Sequence, residues 1–385
     1  MRLLHTSDWH LGRTLHRADL GPAQDAFLDA LVETVRAERV DAVLVSGDVY
    51  DRAVPSVEAV QRYDEALVRL RSAGARVVVT SGNHDSASRL GVGARLVDAA
   101  GVHVRTRPQD VAVPVLLSDE HGDVAVYGIP YLEPEAVRDV LPGVGHAGVL
   151  GEAMSRIRAD LAGRSARSVV LAHAWVTGGE ASDSERDIRV GGVGDVSASV
   201  FDGVDYTALG HLHGAQKLRE GLRYSGSPLA YSFSEAGHTK GSWLVSLNAA
   251  GLDGVDFVPA PVPRRLSTLT GDLPDLLSEP TLATQEDDWL SVVLTDPVRP
   301  EDAMARLRSR FPHVLVLDWQ PAGAVPDERT YGARVAGRTD LEVVTEFVRH
   351  VRGGGSTSDA GCCDDEERDL LDSALEAVRL AAASA

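Results

Sequence analysis

Five short groups of polar residues in this 385-residue chain carry side chains that could bind metal ions. They are Asp8-Trp9-His10, Gly47-Asp48, Gly82-Asn83-His84-Asp85, His173 and Gly210-His211-Leu212-His213. Carboxylate, amide and imidazole ligands together suit Mn²⁺, Fe²⁺ or Zn²⁺ better than Ca²⁺. No single group is informative, because isolated histidines and Gly-Asp pairs are common outside metal sites. All five in order, each after a predicted strand, indicate a metal centre.

The strands that would position these groups are short apolar runs alternating with amphipathic helical patterns. We predict strands at Arg2–Ser7, Ala42–Ser46, Arg76–Ser81, Ser168–Ala172 and Tyr206–Leu209, and helices at Ala23–Glu38 and Val57–Arg71. The carboxyl ends of parallel strands meet at one sheet edge, so the five groups would converge there.

Local geometry gives further expectations for the site. Strand spacing would point Asp8 and His10 in the same direction. A turn would send His211 and His213 either to one ion or to two. The glycines at 47, 82 and 210 would let the backbone turn sharply and bring the ligands close.

Composition limits the class of protein. With 44% hydrophobic and 25% charged residues, the chain is neither wholly disordered nor fibrous. The 38 basic and 57 acidic residues give a net charge of −19, which argues against holding nucleic acid by a global positive field. A nucleic-acid enzyme whose carboxylates hold metal ions remains compatible with this charge.

The pattern predicts an α/β fold in which a sandwich of two mixed sheets is flanked by helices. We expect a catalytic domain at 1–262, a small α+β capping domain at 263–335 and a helix-linker-helix tail at 336–385. The tail helices are predicted at Leu341–Val351 and Asp364–Ala383. The apolar stripe of the second helix would fit either its own domain or a partner protein.

The cellular location can be predicted from three sequence features: apolar run length, the N-terminal segment and the cysteines. No apolar run is long enough to span a bilayer, and the N-terminal apolar stretch is too short for a signal peptide. The only cysteines, Cys362 and Cys363, are adjacent and imply no disulfide framework. We therefore expect a cytoplasmic protein without a membrane segment.

The five groups together resemble the signature of calcineurin-like metallophosphoesterases. Five segments look like the SbcD family of nuclease subunits within that superfamily, and the resemblance covers roughly residues 1–350. These segments are His5-Thr6-Ser7-Asp8-Trp9-His10-Leu11-Gly12, Gln24-x-x-Phe27-Leu28, Arg186-Asp187-Ile188, Ala208-Leu209-Gly210-His211 and Ser225-Gly226-Ser227-Pro228-Leu229. No ligand of the signature is missing, which disfavours a binding scaffold with an inactive site.

The resemblance implies two divalent metal ions, with Mn²⁺ the expected metal. It assigns Asp8, His10, Asp48 and His213 to one ion, and Asp48, Asn83, His173 and His211 to the other, with Asp48 bridging. His84 would stabilise the phosphate or protonate the leaving oxygen. Asp85 would orient His84 or serve as a turn residue, which we weigh equally. Arg13, Arg52 and Arg89 are placed where DNA phosphates could pass.

The resemblance also implies a two-metal DNA nuclease with 3′–5′ exonuclease activity on duplexes and endonuclease activity on single strands. Such a subunit acts in DNA recombination, replication and repair, associated with the nucleoid. Its partner is an SbcC-type ATPase with coiled coils, bound to a homodimer within a heterotetramer. This chain has no Gly-x-x-x-x-Gly-Lys-[Ser/Thr] loop, so any ATP dependence would come from that partner. The alternative is a small-molecule or cyclic-nucleotide metallophosphodiesterase.

Overall fold

A computed structural model describes residues 1–186, 196–321, 337–351 and 363–383. The chain divides into two compact units, Met1–Pro263 and Arg264–Ala385. The expected boundary between residues 335 and 336 and the glycine-rich linker at 353–358 lie outside the described residues.

The first unit contains two six-stranded sheets and the helices that cover them. Its strands are β1 (Arg2–Thr6), β2 (Thr14–Leu15), β3 (Ala18–Asp19), β4 (Ala42–Ser46), β5 (Arg76–Thr80), β6 (Val102–Arg105), β7 (Val115–Asp119), β8 (Gly122–Gly128), β9 (Ala166–His173), β10 (Tyr206–Gly210), β11 (Gln216–Arg219), β12 (Leu222–Tyr224), β13 (Gly241–Asn248) and β14 (Gly251–Pro259). Its helices are α1 (Gly21–Glu38), α2 (Val57–Ser72), α3 (Ala87–Leu90), α4 (Ala94–Val97), α5 (Pro134–Val137) and α6 (Gly145–Leu161).

The two sheets are mixed. The first has the order β14-β13-β1-β4-β5-β6. Strands β1, β4, β5 and β6 are parallel, β13 is antiparallel to β1, and β14 is antiparallel to β13. The second has the order β11-β12-β10-β9-β8-β7, with β8, β9, β10 and β12 parallel. All five residues of β4 are buried, as expected for a central parallel strand covered on both faces.

Successive side chains of a strand point to opposite faces of the sheet, so one strand contributes to two hydrophobic layers. In β1, Leu3 packs in the cluster between the sheets with Leu171, while Leu4 faces the opposite side with Phe27 of α1. On the outer side of the second sheet, Ile157 of α6 joins a separate core cluster. The predicted fold class, a two-sheet sandwich flanked by helices, is confirmed.

The second unit contains a three-stranded parallel sheet in the order β15-β16-β17. Helices follow the first two strands, and their apolar sides share one core cluster with the sheet. The topology is therefore two successive β-α-β crossovers. Its elements are β15 (Leu266–Gly271), α7 (Leu273–Ser278), β16 (Trp289–Leu294), α8 (Ala303–Arg310), β17 (Val314–Trp319), α9 (Asp340–Val351) and α10 (Asp365–Ala383).

Among the elements of the first unit that were not anticipated from the sequence are β6, α6 and β14. Helix α6 contains three glycines, which weaken a helical pattern. Strand β14 contains two glycines and two aspartates, and it forms by pairing with β13 along its whole length. Within the part of the chain that the structure describes, no helix has the length and apolar content to cross a bilayer.

A buried histidine, His5, joins β1 of the first sheet to β10 of the second. Its Nδ1 lies 2.9 Å from the Tyr206 hydroxyl, and its Nε2 lies 3.1 Å from the Leu209 carbonyl oxygen. A neutral ring satisfies both contacts, with Nε2–H donating to Leu209 and Nδ1 accepting from Tyr206. Burial lowers the pKa of His5 to about 3.

We predict that His5 makes the protein less stable as the pH falls. Below pH 6.5 the unfolded chain binds a proton at this residue, whereas the folded chain excludes it until about pH 3. His5→Gln keeps a donor and an acceptor but does not titrate. The free energy of unfolding lost between about pH 7 and 5.5 should therefore be about 1 kcal/mol smaller in the variant.

Urea unfolding at the two pH values measures this difference. His121→Gln, which removes an exposed histidine, is the matched control and should behave as wild type. An unchanged pH dependence in His5→Gln would contradict the prediction.

Candidate metal centre

The five predicted groups meet where the two sheets present the carboxyl ends of parallel strands. Asp8, Asp48 and Asn83 follow β1, β4 and β5 of the first sheet. His173 is the last residue of β9, and His211 directly follows β10, both in the second sheet. The site is therefore assembled from both layers of the sandwich.

Left-handed backbone turns bring the side chains together. Asp8, His10, Asp48 and His211 have φ angles of 52°, 43°, 47° and 107°. Asp8 and His10 do converge as expected, but strand spacing is the wrong reason, because β1 ends at Thr6 before either residue. Positive φ at non-glycine residues is unfavourable and occurs preferentially at functional sites.

Glycines allow the close approach, as the sequence predicted. A Cβ atom on Gly82 would lie 2.2 Å from Asp48 Oδ1, and one on Gly210 would lie 1.8 Å from the Ser46 carbonyl oxygen. Gly47 has a φ of +85°, and its Cβ would lie 2.3 Å from His173 Nδ1. Any side chain at these positions would displace the metal-ligand candidates.

One cluster contains Asp8, His10 and His213, whose ligand atoms lie within 4.8 Å of one another. The Nε2 atoms of His10 and His213 are 3.1 Å apart. The backbone N–H of His211 donates to both carboxylate oxygens of Asp8, at 3.0 and 3.1 Å, which anchors the loop carrying His213.

A second cluster contains Asn83, His173 and His211. Asn83 Oδ1 lies 2.9 Å from His173 Nε2 and 3.2 Å from His211 Nδ1. His211 and His213 thus belong to different clusters, and the turn between them separates the two rings. Of the two arrangements open for these histidines, the structure has the one in which the two rings lie in separate clusters.

Asp48 lies between the clusters. Its Oδ2 atom is 3.6 Å from His10 Nε2 and 3.5 Å from His173 Nε2. Its Oδ1 atom accepts a 2.8 Å hydrogen bond from the His84 backbone N–H. This position fits a carboxylate that bridges two ions.

Burial and the attraction between Asp48 and His173 together set the charge state of the site. Burial lowers the pKa of His10 and His211 well below the usual value, which leaves neutral rings with lone pairs available. Burial alone would raise the pKa of Asp48, but the adjacent His173 brings it well below its usual range. For His173, burial acts to lower the pKa, and the Asp48 charge instead raises it to about 9.

The residues present fit divalent metal ions. The Nε2 atoms of His10 and His213 face each other at 3.1 Å, and among the described residues His211 Nε2 is buried without a hydrogen-bond partner, which is costly for a polar atom. Nitrogen and carboxylate donors converge within 4.8 Å in three overlapping groups. Such a donor set suits Mn²⁺, Fe²⁺ or Zn²⁺.

A family model described as calcineurin-like phosphoesterase matches residues 1–215. The chain belongs to the calcineurin-like phosphoesterase family. A second model, SbcD_C, described as the type 5 capsule protein repressor C-terminal domain, matches residues 262–352. Family membership and the Asp/His clusters together support a metal-dependent hydrolase that acts on phosphoester bonds.

Several solved structures are similar to this phosphoesterase. A dimetal phosphatase from Danio rerio shares 14% identity over 68% of this chain and 99% of its own, with a TM-score of 0.40. GAP50, an anchor in the inner membrane complex of Plasmodium, shares 12% identity over 85% and 99%, with a TM-score of 0.42. TT1561 of Thermus thermophilus shares 14% identity over 66% and 98%, with a TM-score of 0.38.

His84 of the phosphoesterase lies at the edge of the clusters. It is buried, with 6% of its surface exposed, its ring centroid lies 4.6 Å from that of His10, and one ring nitrogen lies within 4.8 Å of ligand atoms of His10 and Asp48. Its Nδ1 lies 2.8 Å from the Asp51 carbonyl oxygen. If Nδ1–H donates there, Nε2 is the nitrogen that remains for a substrate.

The Asp85 carboxylate binds backbone groups of two loops instead of orienting the His84 ring. It accepts hydrogen bonds from the backbone N–H groups of Val49, Tyr50 and Gly82, at 3.1, 2.9 and 2.9 Å. Asp85 therefore ties the loop after β4 to the loop after β5.

Other residues around the site were not anticipated. Asp51 Oδ1 lies 3.7 Å from His10 Nδ1, and its carbonyl oxygen contacts His84 as described above. Ser184 and Glu235 lie beside His213 Nδ1 at 2.5 and 3.6 Å. Asp51 could have been considered from the sequence, because it is an acidic residue three positions after Asp48. Ser184 and Glu235 are distant in sequence and reach His213 only through tertiary packing.

The structure distinguishes the three predicted DNA-binding arginines. Arg13 is largely buried: its guanidinium donates to the Ser184 carbonyl oxygen at 3.0 Å and lies over the Tyr231 ring at 5.0 Å. Arg52 is 81% exposed, and Arg89 is exposed while donating to the Ala53 carbonyl oxygen at 2.9 Å. Arg13 is thus engaged with the protein, whereas Arg52 and Arg89 face solvent.

Proposed function

We propose that this phosphoesterase is a DNA nuclease subunit of the SbcD type. It would cleave duplex DNA as a 3′–5′ exonuclease and single strands as an endonuclease, in recombination, replication and repair. The observation that carries the proposal is the SbcD_C match at 262–352 in the same chain as the Asp/His clusters described above. A small-substrate phosphodiesterase of the same family has no evident use for that additional unit.

We propose the ligand sets that the two clusters suggest. Asp8, His10 and His213 would hold one ion, and Asn83, His173 and His211 the other, with Asp48 shared. Two divalent ions, expected to be Mn²⁺, would act there as Lewis acids: they would offset the charge on the phosphate oxygens and make a bound water more acidic. The protein contributes fixed ligands in a water-excluded site.

His84 is the candidate for proton transfer. Its Nδ1 is engaged with the Asp51 carbonyl oxygen, which fixes the ring plane. A protonated ring would donate its Nε2 proton to the leaving oxygen or hydrogen-bond to the phosphate. Because His84 need not bind metal in this role, its loss should separate catalysis from metal binding.

A nuclease assay with Mn²⁺ tests the proposal, using linear duplex and single-stranded DNA with and without an SbcC-type ATPase. Asp48→Ala should lose both Mn²⁺ binding and cleavage, because it removes the shared carboxylate. His84→Ala should keep Mn²⁺ binding while cleavage falls by about 10²–10⁴-fold, the usual contribution of proton transfer. Calorimetric titration with Mn²⁺ measures the binding.

His121→Ala, at an exposed position, is the control and should cleave as wild type. Equal cleavage by wild type, Asp48→Ala and His84→Ala would refute the site. Hydrolysis of bis(p-nitrophenyl) phosphate without cleavage of either DNA would favour the small-molecule or cyclic-nucleotide phosphodiesterase.

We further propose that Arg52 and Arg89 contact DNA phosphates beside the metal centre. Both side chains are exposed, and both lie at the loop formed by residues 51–53. This loop includes Asp51, which contacts His10 and His84. Local positive charge here would offset part of the repulsion expected from a net charge of −19.

The double variant Arg52→Ala/Arg89→Ala should weaken DNA binding and reduce its salt dependence. The slope of log K against log salt concentration is negative, and losing two phosphate contacts should make it less steep by about 2. Arg107→Ala/Arg138→Ala removes two other exposed arginines and is the matched control. Fluorescence anisotropy across a salt series measures the slopes, and equal slopes in the two variants would end this proposal.

The tail helices are a candidate dock for the SbcC-type ATPase. Helices α9 and α10 contact each other, and Arg379 of α10 pairs with Asp340 of α9 at 2.7 Å. On α10, Leu370 and Val378 are 66% and 65% exposed. Their spacing of eight residues places them on one helix face, as a partner-binding stripe requires.

Leu370→Asp/Val378→Asp should abolish co-purification with an SbcC-type ATPase, because it places two charges in the apolar contact. Val298→Asp introduces a charge at an exposed position elsewhere in the second unit and should leave co-purification unchanged. The mass of the wild-type complex gives the stoichiometry, with two copies of each chain expected. Retained binding by the double variant would remove this stripe as the dock.

A further inference from the structure

A buried carboxylate, Glu235, lies behind His213 of the candidate metal centre. Its side chain is 0% exposed, and its Oε1 atom lies 3.6 Å from His213 Nδ1. The Ser184 hydroxyl stands between them, with Oγ 2.5 Å from His213 Nδ1 and 2.5 Å from Glu235 Oε1. The three groups form a chain of contacts that ends on His213 Nδ1, while the other ring nitrogen, Nε2, faces His10 in the candidate metal centre.

The direction of the hydrogen bonds in this chain follows from the chemistry of its ends. An ionised carboxylate only accepts, so Ser184 O–H donates to Glu235. The Ser184 oxygen then accepts from His213 Nδ1–H. The ring is thereby held in the tautomer with an unprotonated Nε2, which is the atom 3.1 Å from His10 Nε2.

Surrounding groups keep Glu235 charged despite its burial. Lys240, only 5% exposed, donates to the Oε2 atom of Glu235 and, at 2.8 Å, to the His213 carbonyl oxygen. The Ser232 hydroxyl donates to Oε1 at 3.1 Å. Paired with a cation and hydrogen-bonded, the buried carboxylate has the partners that its burial requires.

The main chain of the same histidine is also fixed. The His213 N–H donates to the Glu185 carboxylate at 2.6 Å, and Glu185 also accepts from the Ser182 hydroxyl at 2.6 Å. Residues 182–185 therefore hold both the backbone and the ring of His213.

We propose that Ser184 and Glu235 are positioning residues that hold His213 as an Nε2 ligand for metal. This inference rests on the proposed metal centre and extends it to partners that no ligand motif contains. A carboxylate that orients a metal-binding histidine is a recurrent arrangement, and here a serine hydroxyl is interposed.

Two serines give a matched test. Ser184→Ala and Ser232→Ala each remove one hydroxyl from Glu235 Oε1, but only Ser184 also touches His213. If Glu235 merely holds the fold, the two variants should behave alike. If the chain of contacts orients His213, only Ser184→Ala should disturb the metal centre.

Calorimetric titration of the full-length protein with Mn²⁺ is the first measurement. Ser184→Ala should weaken one of two sites by about 10–100-fold, the usual effect of losing a partner of a ligand. Ser232→Ala should retain wild-type affinity at both sites. Ser184→Thr, which keeps the hydroxyl, should restore the affinity that alanine loses.

The tautomer of His213 is the second measurement and needs no metal. Long-range ¹H–¹⁵N spectra of ¹⁵N-histidine protein should show the Nδ1–H form in wild type and Ser232→Ala, with His213→Asn identifying the signal. Ser184→Ala should lose that form.

Equal Mn²⁺ affinities, or the same tautomer, in the two serine variants would overturn the inference while leaving the metal centre intact. Failure of the wild-type protein to bind Mn²⁺ would instead refute the metal centre, and this inference with it.

Discussion

Two buried carboxylates, Asp8 and Asp48, impose the constraint on which the site depends. Both are at most 2% exposed, and moving such a charge out of water costs several kcal/mol unless positive charge compensates it. The nearest compensating groups in the described structure are imidazoles, and the Asp48 charge raises the pKa of His173 to about 9 against the effect of burial. A divalent ion could replace that proton and use the same ring as a ligand.

The fold supplies the rigidity that this arrangement requires. Left-handed backbone at Asp8, His10 and Asp48 costs of order 1–3 kcal/mol for each residue and persists only where the surroundings enforce it. Hydrogen bonds do so here: His10 N–H donates to the Asp48 carbonyl oxygen at 3.0 Å, and Asp85 accepts from three backbone N–H groups of the adjoining loops. The strain is localised to the loops, while the strands beneath them are regular and buried.

The sequence allowed the sandwich and the convergence of the five groups to be predicted, because both depend on local patterns. Apolar strands such as Ala42–Ser46 end just before ligand-type residues, and glycines mark the close approaches. Helix α6 and strand β14 could not be found this way, since both are held by neighbours despite weak propensity. Ser184 and Glu235 carry no motif, and they acquire meaning only when folding places them beside His213.

Both sheets contribute to the metal centre, which connects binding to the stability of the sandwich. Asp48 and Asn83 come from loops of the first sheet, while His173 and His211 belong to the second. An ion held by ligands from both layers would cross-link the sheets at the edge where polar groups replace the apolar core. Because the unfolded chain lacks this assembled site, the free energy of metal binding adds to that of folding. The same cation that would polarise a phosphoester would thus also stabilise the loops that position it.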